Sequence, residues 1–223
     1  MSVIGSALPF FFGASKGIVL PAIGASFQGG FFAGTISHTA NGVATHALIV
    51  APAATGATGT GYTLTTNKQW KTTNTTTAGT TSTYDGAANS ANMNNASHPA
   101  AEFCETLSIG GYTDWYLPAL YELEIAYYNL KPTTNSNDTS SGINAYSVPA
   151  RGSNYTAGTP AQTTVTAFQT GNSEAFVADY HWSSTEYAFS STDAWRLRFT
   201  DGFLGVNTKG FTNRVRAFRK LAL

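Results

Sequence analysis

The chain has 223 residues, of which 42% are apolar, 13% are aromatic and only 11% are charged, and its formal net charge is zero. This content excludes a disordered chain and supports one main domain with a hydrophobic core plus an N-terminal appendage. The single cysteine, Cys104, excludes an intrachain disulfide and a multi-cysteine metal site. Low charge with abundant Thr, Ser, Asn and Gly is uncommon in cytosolic enzymes and more typical of extracellular β-rich binding proteins and virion components.

The first 27 residues are strongly apolar, and they could be taken for a membrane segment. Breaks at Pro9, Gly13, Lys16 and Pro21 interrupt every apolar run before it reaches the ~20 residues that span a bilayer. A signal peptide also fits poorly, because no basic residue precedes the apolar stretch. We therefore expect residues 1–27 to form an attachment or oligomerisation arm that docks on another chain, the alternative being an arm packed on its own domain.

The main domain is predicted over residues 28–223, and it begins with two strands. The sequences GGFFAGTI and THALIVAP predict a strand pair, in which residues 47–50 are fully buried. A threonine-rich tract over residues 60–83 follows. It cannot form a stable helix, and its bounded length favours an ordered surface loop over a glycan-carrying stalk, with Trp70 anchoring it to the core.

Two helices are predicted next, over residues 89–107 and from Pro118 to about Leu130. Cys104 falls on the apolar face of the first helix, which predicts a small core residue rather than a nucleophile. His98 lies at the start of that helix, where a surface or capping role is expected. In the second helix the two glutamates at 122 and 124 should point in different directions.

A long irregular stretch over residues 133–175 leads to the C-terminal part, which alternates apolar and polar residues from Trp195 onward. Asp201-Gly202 predicts a type I′ hairpin turn, because both residue types tolerate positive φ. A second strand over 203–207 and a third over 213–219 would complete an antiparallel meander. Its outer face would carry arginines, Asn, Thr and Phe.

Basic residues concentrate in this C-terminal part. Residues 196–220 hold seven basic side chains and one acidic side chain, whereas the rest of the chain holds five and eleven. One explanation is that the arginines pair inside the fold with acidic residues of the preceding segment. The other is a contact surface rich in arginine and aromatic residues, as in interface hot spots. The acidic residues available for internal pairing are Glu174, Asp179, Glu186 and Asp193.

Several motifs carry a resemblance to a known family. They are GGYTDWYLPALYEL at 110–123, HWSSTEY at 181–187, FTDG at 199–202 and RVRAFR at 214–219. Together they resemble the C-type-lectin-fold domain of phage tail-fibre and tail-tip proteins and of the variable proteins of diversity-generating retroelements, a relative of the formylglycine-generating fold. The resemblance implies an α+β, C-type-lectin-like fold with two helices, long loops and a C-terminal antiparallel meander.

The resemblance also implies a ligand-binding surface on the last strands and loops, between the WSSTEY motif and the RVRAFR end. In retroelement-diversified members of the family, the variable positions lie in this region. By this resemblance, the predicted ligand-binding residues of this chain are Phe189, Ser190, Arg196, Arg198, Thr200, Phe203, Asn207, Thr208, Phe211 and Asn213.

Motifs of other activities do not occur in the sequence. It lacks the Glu-Pro-Asn and Trp-Asn-Asp signatures of calcium-dependent lectins and the cysteine pair of formylglycine-generating enzymes. It also lacks a nucleophile elbow, a phosphate-binding Gly-Lys-Ser/Thr loop and histidines at metal-ligand spacing. We therefore expect no catalytic residues, no cofactor and no metal. We expect no nucleic acid partner either, since the domain is neutral.

These observations lead to one expectation for function. The protein is predicted to be a non-enzymatic adhesin, the receptor-binding protein of a phage tail tip or fibre. Its partners would be a protein or glycan receptor on the host cell and other tail proteins that contact residues 1–27, in a homotrimer of the virion and without membrane insertion. The alternatives are a sulfatase-modifying or glycan-processing enzyme and a structural virion protein that contacts no receptor.

Overall fold

A computed structural model describes residues 18–58 and 67–223. Most of the predicted N-terminal arm lies outside the described residues, but its last part lies on the domain. Strand β1, Ser26–Phe27, pairs antiparallel with the start of the next strand, and Ile23 packs against the main core. No helix within the described ranges has both the length and the apolar content needed to cross a bilayer.

The first sheet has four strands in the order β1-β2-β3-β9. The predicted strand pair is confirmed as β2, Gly30–Ile36, and β3, His46–Val50, which are antiparallel. After its first residue β3 consists of four apolar residues, two of them β-branched, and all four are buried. The last strand, β9, Phe218–Ala222, pairs with β3. The sheet therefore combines strands from the N-terminal and C-terminal parts of the domain.

Helices and antiparallel sheets together confirm the predicted α+β, C-type-lectin-like class, with four helices among the described residues rather than two. They are α1, Ala53–Gly56, α2, Gly86–Ala91, α3, Pro99–Glu105, and α4, Leu120–Leu130. The prediction of one helix over 89–107 is wrong. A turn of the chain ends α2, and α3 begins anew with Pro99 at its first position, where the missing N–H costs nothing.

Helix α4 begins two residues after the predicted Pro118, and Glu122 secures its start. The carboxylate accepts hydrogen bonds from the backbone N–H of Ala119 at 2.8 Å and of Gly86 at 3.2 Å. Complete burial raises the pKa of Glu122 to about 7. Glu124 points elsewhere and pairs with Arg151, so the prediction that the two carboxylates diverge is confirmed.

Two buried clusters form the interior. One lies between the first sheet and α4 and includes Leu123, Tyr127 and Phe199. The other holds three buried tryptophans together with Cys104, which confirms that this cysteine is a core residue, and with Val215. The three tryptophans are Trp70, Trp115 and Trp182. The predicted anchoring role of Trp70 is confirmed, because its Nε1 donates to the carbonyl of Ser183 at 2.8 Å.

The C-terminal meander exists and its first two predicted strands are confirmed, but the third strand of the sheet is a different segment. The meander consists of β5, Tyr180–Glu186, β6, Asp193–Arg198, and β7, Leu204–Thr208, in that order. The predicted third strand over 213–219 is wrong because this segment divides. Its start forms β8, Thr212–Asn213, which pairs with β4, Lys68–Gln69, and its end enters β9.

The turn between β6 and β7 is not of type I′. Only Gly202 has a positive φ, at 81°, whereas a type I′ turn needs positive φ at both central residues. One residue after β6 the backbone no longer hydrogen-bonds toward β7. The N–H of Phe199 donates instead to the carbonyl of Asp179 at 3.0 Å. Asp201 then folds back onto Arg198 and accepts a hydrogen bond from its Nε at 2.8 Å.

Candidate functional site

Most basic residues of the C-terminal segment are internal. Lys209 and three of the arginines are buried, and each has a carboxylate within 4 Å. The expectation that residues 214–219 display guanidinium groups outward is therefore wrong, and internal pairing explains this part of the charge cluster. The pairs are Lys209 with Glu186 at 3.1 Å, Arg214 with Asp179 at 3.4 Å, Arg216 with Glu174 at 2.8 Å and Arg219 with Asp114 at 2.8 Å.

Two arginines of β6 do reach the surface of the meander. Arg196 stacks on the ring of Tyr180, with its guanidinium carbon 3.6 Å from the ring centroid. Arg198 lies 5.4 Å from the same ring and 5.3 Å from the ring of Phe203. We call these four residues the arginine ladder. Alternating cations and rings of this kind are attracted through the ring quadrupole, which holds the guanidinium groups in fixed positions.

Arg196 differs from the other arginines in having no carboxylate partner among the described residues. Its Nη1 donates to Oδ1 of Asn213 at 3.3 Å, and its Nε is buried without a partner. Asn213 itself is buried, because β8 pairs with β4 and covers it. Its predicted outward position is therefore wrong. Asn213 instead lies on the protein side of Arg196 and helps to orient it through this hydrogen bond.

Two phenylalanines on neighbouring loops are the most exposed aromatic side chains of the described residues. Phe189, in the loop between β5 and β6, is 88% exposed, and Phe211, in the turn between β7 and β8, is 62% exposed. The ring of Tyr187 lies 5.5 Å from that of Phe189 and 5.3 Å from that of Trp195. The predicted turn near Lys209-Gly210 is confirmed by the hydrogen bond from the N–H of Phe211 to the carbonyl of Thr208.

A third loop, residues 72–76, lies beside these two, and all five of its residues are exposed. The side chain of Lys71 donates to the carbonyls of Thr75 at 3.2 Å and Thr76 at 2.8 Å. The N–H of Gly210 donates to Oδ1 of Asn74 at 3.0 Å, which joins this loop to the phenylalanine-bearing turn. We call the three segments 72–76, 187–192 and 208–212 the tip.

Lys209 joins all three segments of the tip. Its Nζ donates to the carbonyls of Thr75 at 2.9 Å and Ser191 at 2.7 Å, and it pairs with the buried Glu186. The ammonium group also lies 4.8 Å from the ring centroid of Trp70. Burial lowers the pKa of Lys209, and the hydrogen bond and charge of Glu186 oppose that effect. A buried ion pair therefore fixes the exposed loops to the core.

Sequence reasoning missed the 72–76 loop as part of the site. The threonine-rich tract was predicted to be an ordered surface loop, and its described part is one, whereas residues 59–66 lie outside the described residues. The usable signal was Lys71, one of two lysines in the threonine-rich tract, because such a lysine can bind backbone carbonyls of its own loop.

The remaining predicted ligand-binding residues lie near the surface, and most of their polar side chains are already hydrogen-bonded within the protein. Thr208 donates to Asp193 at 3.1 Å, and Thr200 donates to the carbonyl of Ala178 at 2.8 Å. Ser190 shares a hydrogen bond with the hydroxyl of Thr192 at 2.9 Å, and Asn207 is half-buried on β7. These side chains shape the surface around the tip and the ladder, and the phenylalanines protrude from it.

His98 lies under the tip and is buried, so the surface alternative of the prediction is wrong. It does occupy the N-cap position of α3, although its side chain makes no capping hydrogen bond. Its Nε2 is 2.9 Å from the hydroxyl of Thr77, and its Nδ1 is 2.9 Å from Oδ1 of Asn95. Burial, followed by the charges of Lys71 and Lys209, lowers the pKa of the imidazole to about 4. A proton on His98 would add a third positive charge beside two buried lysines.

The pKa of His98 predicts an acid-sensitive tip. The ordinary value is 6.5, so the unfolded chain takes up this proton first as the pH falls, and stability is lost between about pH 6.5 and 4. At pH 5 the loss is up to about 2 kcal/mol. We expect His98→Gln to show a smaller fall in melting temperature between pH 7 and pH 5 than the wild type. Glu122 titrates in the same range but is common to both proteins, and equal falls would contradict the prediction.

The thiol of Cys104 lies in the core, out of contact with solvent. It is fully buried on α3, and desolvation raises the pKa of its thiol well above the ordinary value. A thiolate is the form that attacks substrates, so burial of this kind makes a cysteine inert. Across residues 18–58 and 67–223, no group of three or more His, Cys, Asp or Glu side chains is placed to hold a metal ion.

Short helices, antiparallel sheets and loops fixed by buried ion pairs define an α+β domain of the C-type-lectin-like class. A model of the Lcl C-terminal domain matches residues 59–219, which is more than two thirds of the chain. The chain belongs to this family, and the matched residues include the meander, the arginine ladder and the tip. A search of curated proteins found no match to the chain.

Proposed function

We propose that this protein is a non-enzymatic adhesin, the receptor-binding component of a phage tail tip or fibre, and that the tip and the arginine ladder contact the host cell surface. The observation that carries the proposal is the exposure of Phe189 and Phe211 on loops that Lys209 fixes to the core. Aromatic side chains at the centre of an interface supply much of its binding energy. Family membership and the motifs shared with phage tail-fibre domains support the same function.

The rigidity of the tip favours binding. Loops that are already ordered lose little conformational entropy when a partner binds, so more of the contact energy appears as affinity. The rim around the two phenylalanines is polar and uncharged, consisting mainly of Thr, Ser and Asn. Beside it, the guanidinium group of Arg196 offers donors that no carboxylate of the described residues occupies.

Weak contacts at one tip would be strengthened by repetition. We propose a homotrimer that residues 1–27 attach to other tail proteins, so that three tips face the cell together. Linked sites bind their second and third receptors at effective concentrations in the millimolar range, which raises avidity without any new contact.

The test is a pair of substitutions in the tip. The double variant Phe189→Ser, Phe211→Ser is fluorescently labelled and compared with the labelled wild type on cells that the wild type binds. We expect binding to fall by roughly 100-fold, since two hot-spot side chains are lost. The melting temperature should change little, because both rings are in solvent. The matched control replaces two exposed apolar residues outside the site, Val43 and Ile143, with Ser and should bind normally.

Other outcomes of the same experiment would favour the rival functions. Normal cell binding by the phenylalanine variant would contradict the adhesive role of the tip. If the wild-type protein neither binds cells nor blocks phage adsorption, a structural virion protein becomes the better explanation. A substrate turned over by the wild type and lost in Cys104→Ala would favour the sulfatase-modifying alternative, although the buried thiol argues against it.

A further inference from the structure

A cavity of about 700 Å³ opens between α1 and the loop over residues 170–179, away from the tip. Three alanines of residues 53–57 and the side chains of Phe176 and Val177 make one side of it apolar. Cavities of this size and character are typical of sites for small organic ligands. The cavity shares no residue with the tip or the arginine ladder, so it is independent of the proposed adhesive function.

The charged residues of the cavity wall already have partners inside the protein. Arg216 donates to the carbonyl and to the carboxylate of Glu174 at 2.7 and 2.8 Å, and Arg214 pairs with Asp179. A charged ligand would therefore have to compete with existing ion pairs. The wall favours a neutral ligand.

His181 is a buried residue of the cavity wall, and one of its ring nitrogens is open for hydrogen bonding. Its Nδ1 lies 3.1 Å from the carbonyl oxygen of Asp179, which can only accept, so Nδ1 carries the proton. In the neutral ring, Nε2 is then an acceptor, and none of the described residues is hydrogen-bonded to it. The rings of Phe199 and Phe176 pack against the imidazole edge-to-face at 4.7 and 5.6 Å and fix its orientation. Burial lowers the pKa of His181 to about 3, which keeps the ring neutral.

We propose that this cavity binds a small neutral aromatic molecule of the phenol or indole type, whose single O–H or N–H donates to Nε2 of His181. An aromatic ring matches the alanine and phenylalanine side of the cavity, and its one donor matches the open acceptor of the buried His181. A sugar would bring several hydroxyl groups, most of which would lose hydrogen bonds to water without gaining others, at a cost for each.

The experiment compares p-cresol with 4-methylanisole, in which a methyl group replaces the phenolic hydrogen. Amide chemical shifts of the 223-residue chain are followed during titration. We expect p-cresol to bind in roughly the millimolar range, as suits so small a ligand, and 4-methylanisole to bind about tenfold more weakly, because one hydrogen bond is lost. His181→Phe should abolish this preference.

Two tryptophan substitutions on α1 provide a matched pair. Ala54 lines the cavity and is exposed, so Ala54→Trp should fill the cavity without disturbing the core and should abolish p-cresol binding. Thr55 is exposed on the same helix and does not line the cavity, so Thr55→Trp should bind normally. Absence of saturable p-cresol binding, equal affinity for both probes in the wild type, or normal binding by Ala54→Trp would overturn the proposal. The phenylalanine variant of the tip should still bind p-cresol, which separates the two proposals.

Discussion

Lys209→Met is expected to lower the free energy of unfolding by about 3–5 kcal/mol, because it leaves Glu186 charged and buried without its cation. The substitution keeps the length and the apolar stem of the side chain. It removes the 3.1 Å ion pair and the hydrogen bonds to the carbonyls of Thr75 and Ser191. For a domain of this size, such a loss lowers the melting temperature by roughly 10 °C.

The control for this substitution is Lys68→Met. Lys68 is half-buried, its ammonium group lies 6.0 Å from the ring centroid of Phe103, and it has no carboxylate partner among the described residues. Its loss should cost less than about 1 kcal/mol. The double variant Lys209→Met with Glu186→Gln should recover part of the lost stability, because it removes the unpaired charge as well.

The same variant connects the fold to the proposed function. Without Lys209, the loops over 72–76 and 187–192 lose their common attachment, and hydrogen exchange of their amides should become faster than in the wild type. Binding to cells should weaken although both phenylalanines are still present, since the loops would have to become ordered on binding. A loss of stability under about 1 kcal/mol would contradict the role of the buried ion pair.

The local sequence pattern correctly predicted strands whose burial follows from their own order of apolar and polar residues. The buried strand β3 and the alternating strand β6 follow from apolar runs and two-residue periodicity. The third strand of the predicted meander failed because its partners are distant. The N–H of Ala217 donates to the carbonyl of Gly56, and the N–H of Trp182 donates to the carbonyl of Arg214. Alternation indicates an extended segment but does not identify its neighbours.

The charge cluster shows the same limit at the site. A run of arginines predicts a cationic surface unless acidic residues reach it, and here they do so from 35, 42 and 105 residues away. Only Arg196 and Arg198 remain at the surface of the meander. The positions of Phe189 and Phe211 were predicted from the family resemblance, and both side chains are exposed on loops.

Arg216 and Arg198 test this distinction within one segment. Arg216 is buried and makes three hydrogen bonds, from Nε to the carbonyl of Ala51 and from Nη1 and Nη2 to Glu174. Burial lowers the pKa of Arg216 to about 10, and Glu174 opposes the effect. Arg198 makes a bidentate pair with the carboxylate of Asp201, from Nε at 2.8 Å and Nη2 at 2.5 Å, but its side chain is 34% exposed. The ion pair of Arg198 is therefore open to water, whereas that of Arg216 is not.

We expect Arg216→Met to lower the free energy of unfolding by about 3–5 kcal/mol and Arg198→Met by less than about 1 kcal/mol, since water replaces an exposed pair at little cost. Arg216→Lys should be nearly as damaging as Arg216→Met, because one ammonium group cannot reach the three acceptors that the planar guanidinium reaches. Denaturant unfolding of the three variants measures these differences. Similar losses for Arg198→Met and Arg216→Met would show that burial does not separate a structural arginine from a surface one in this domain.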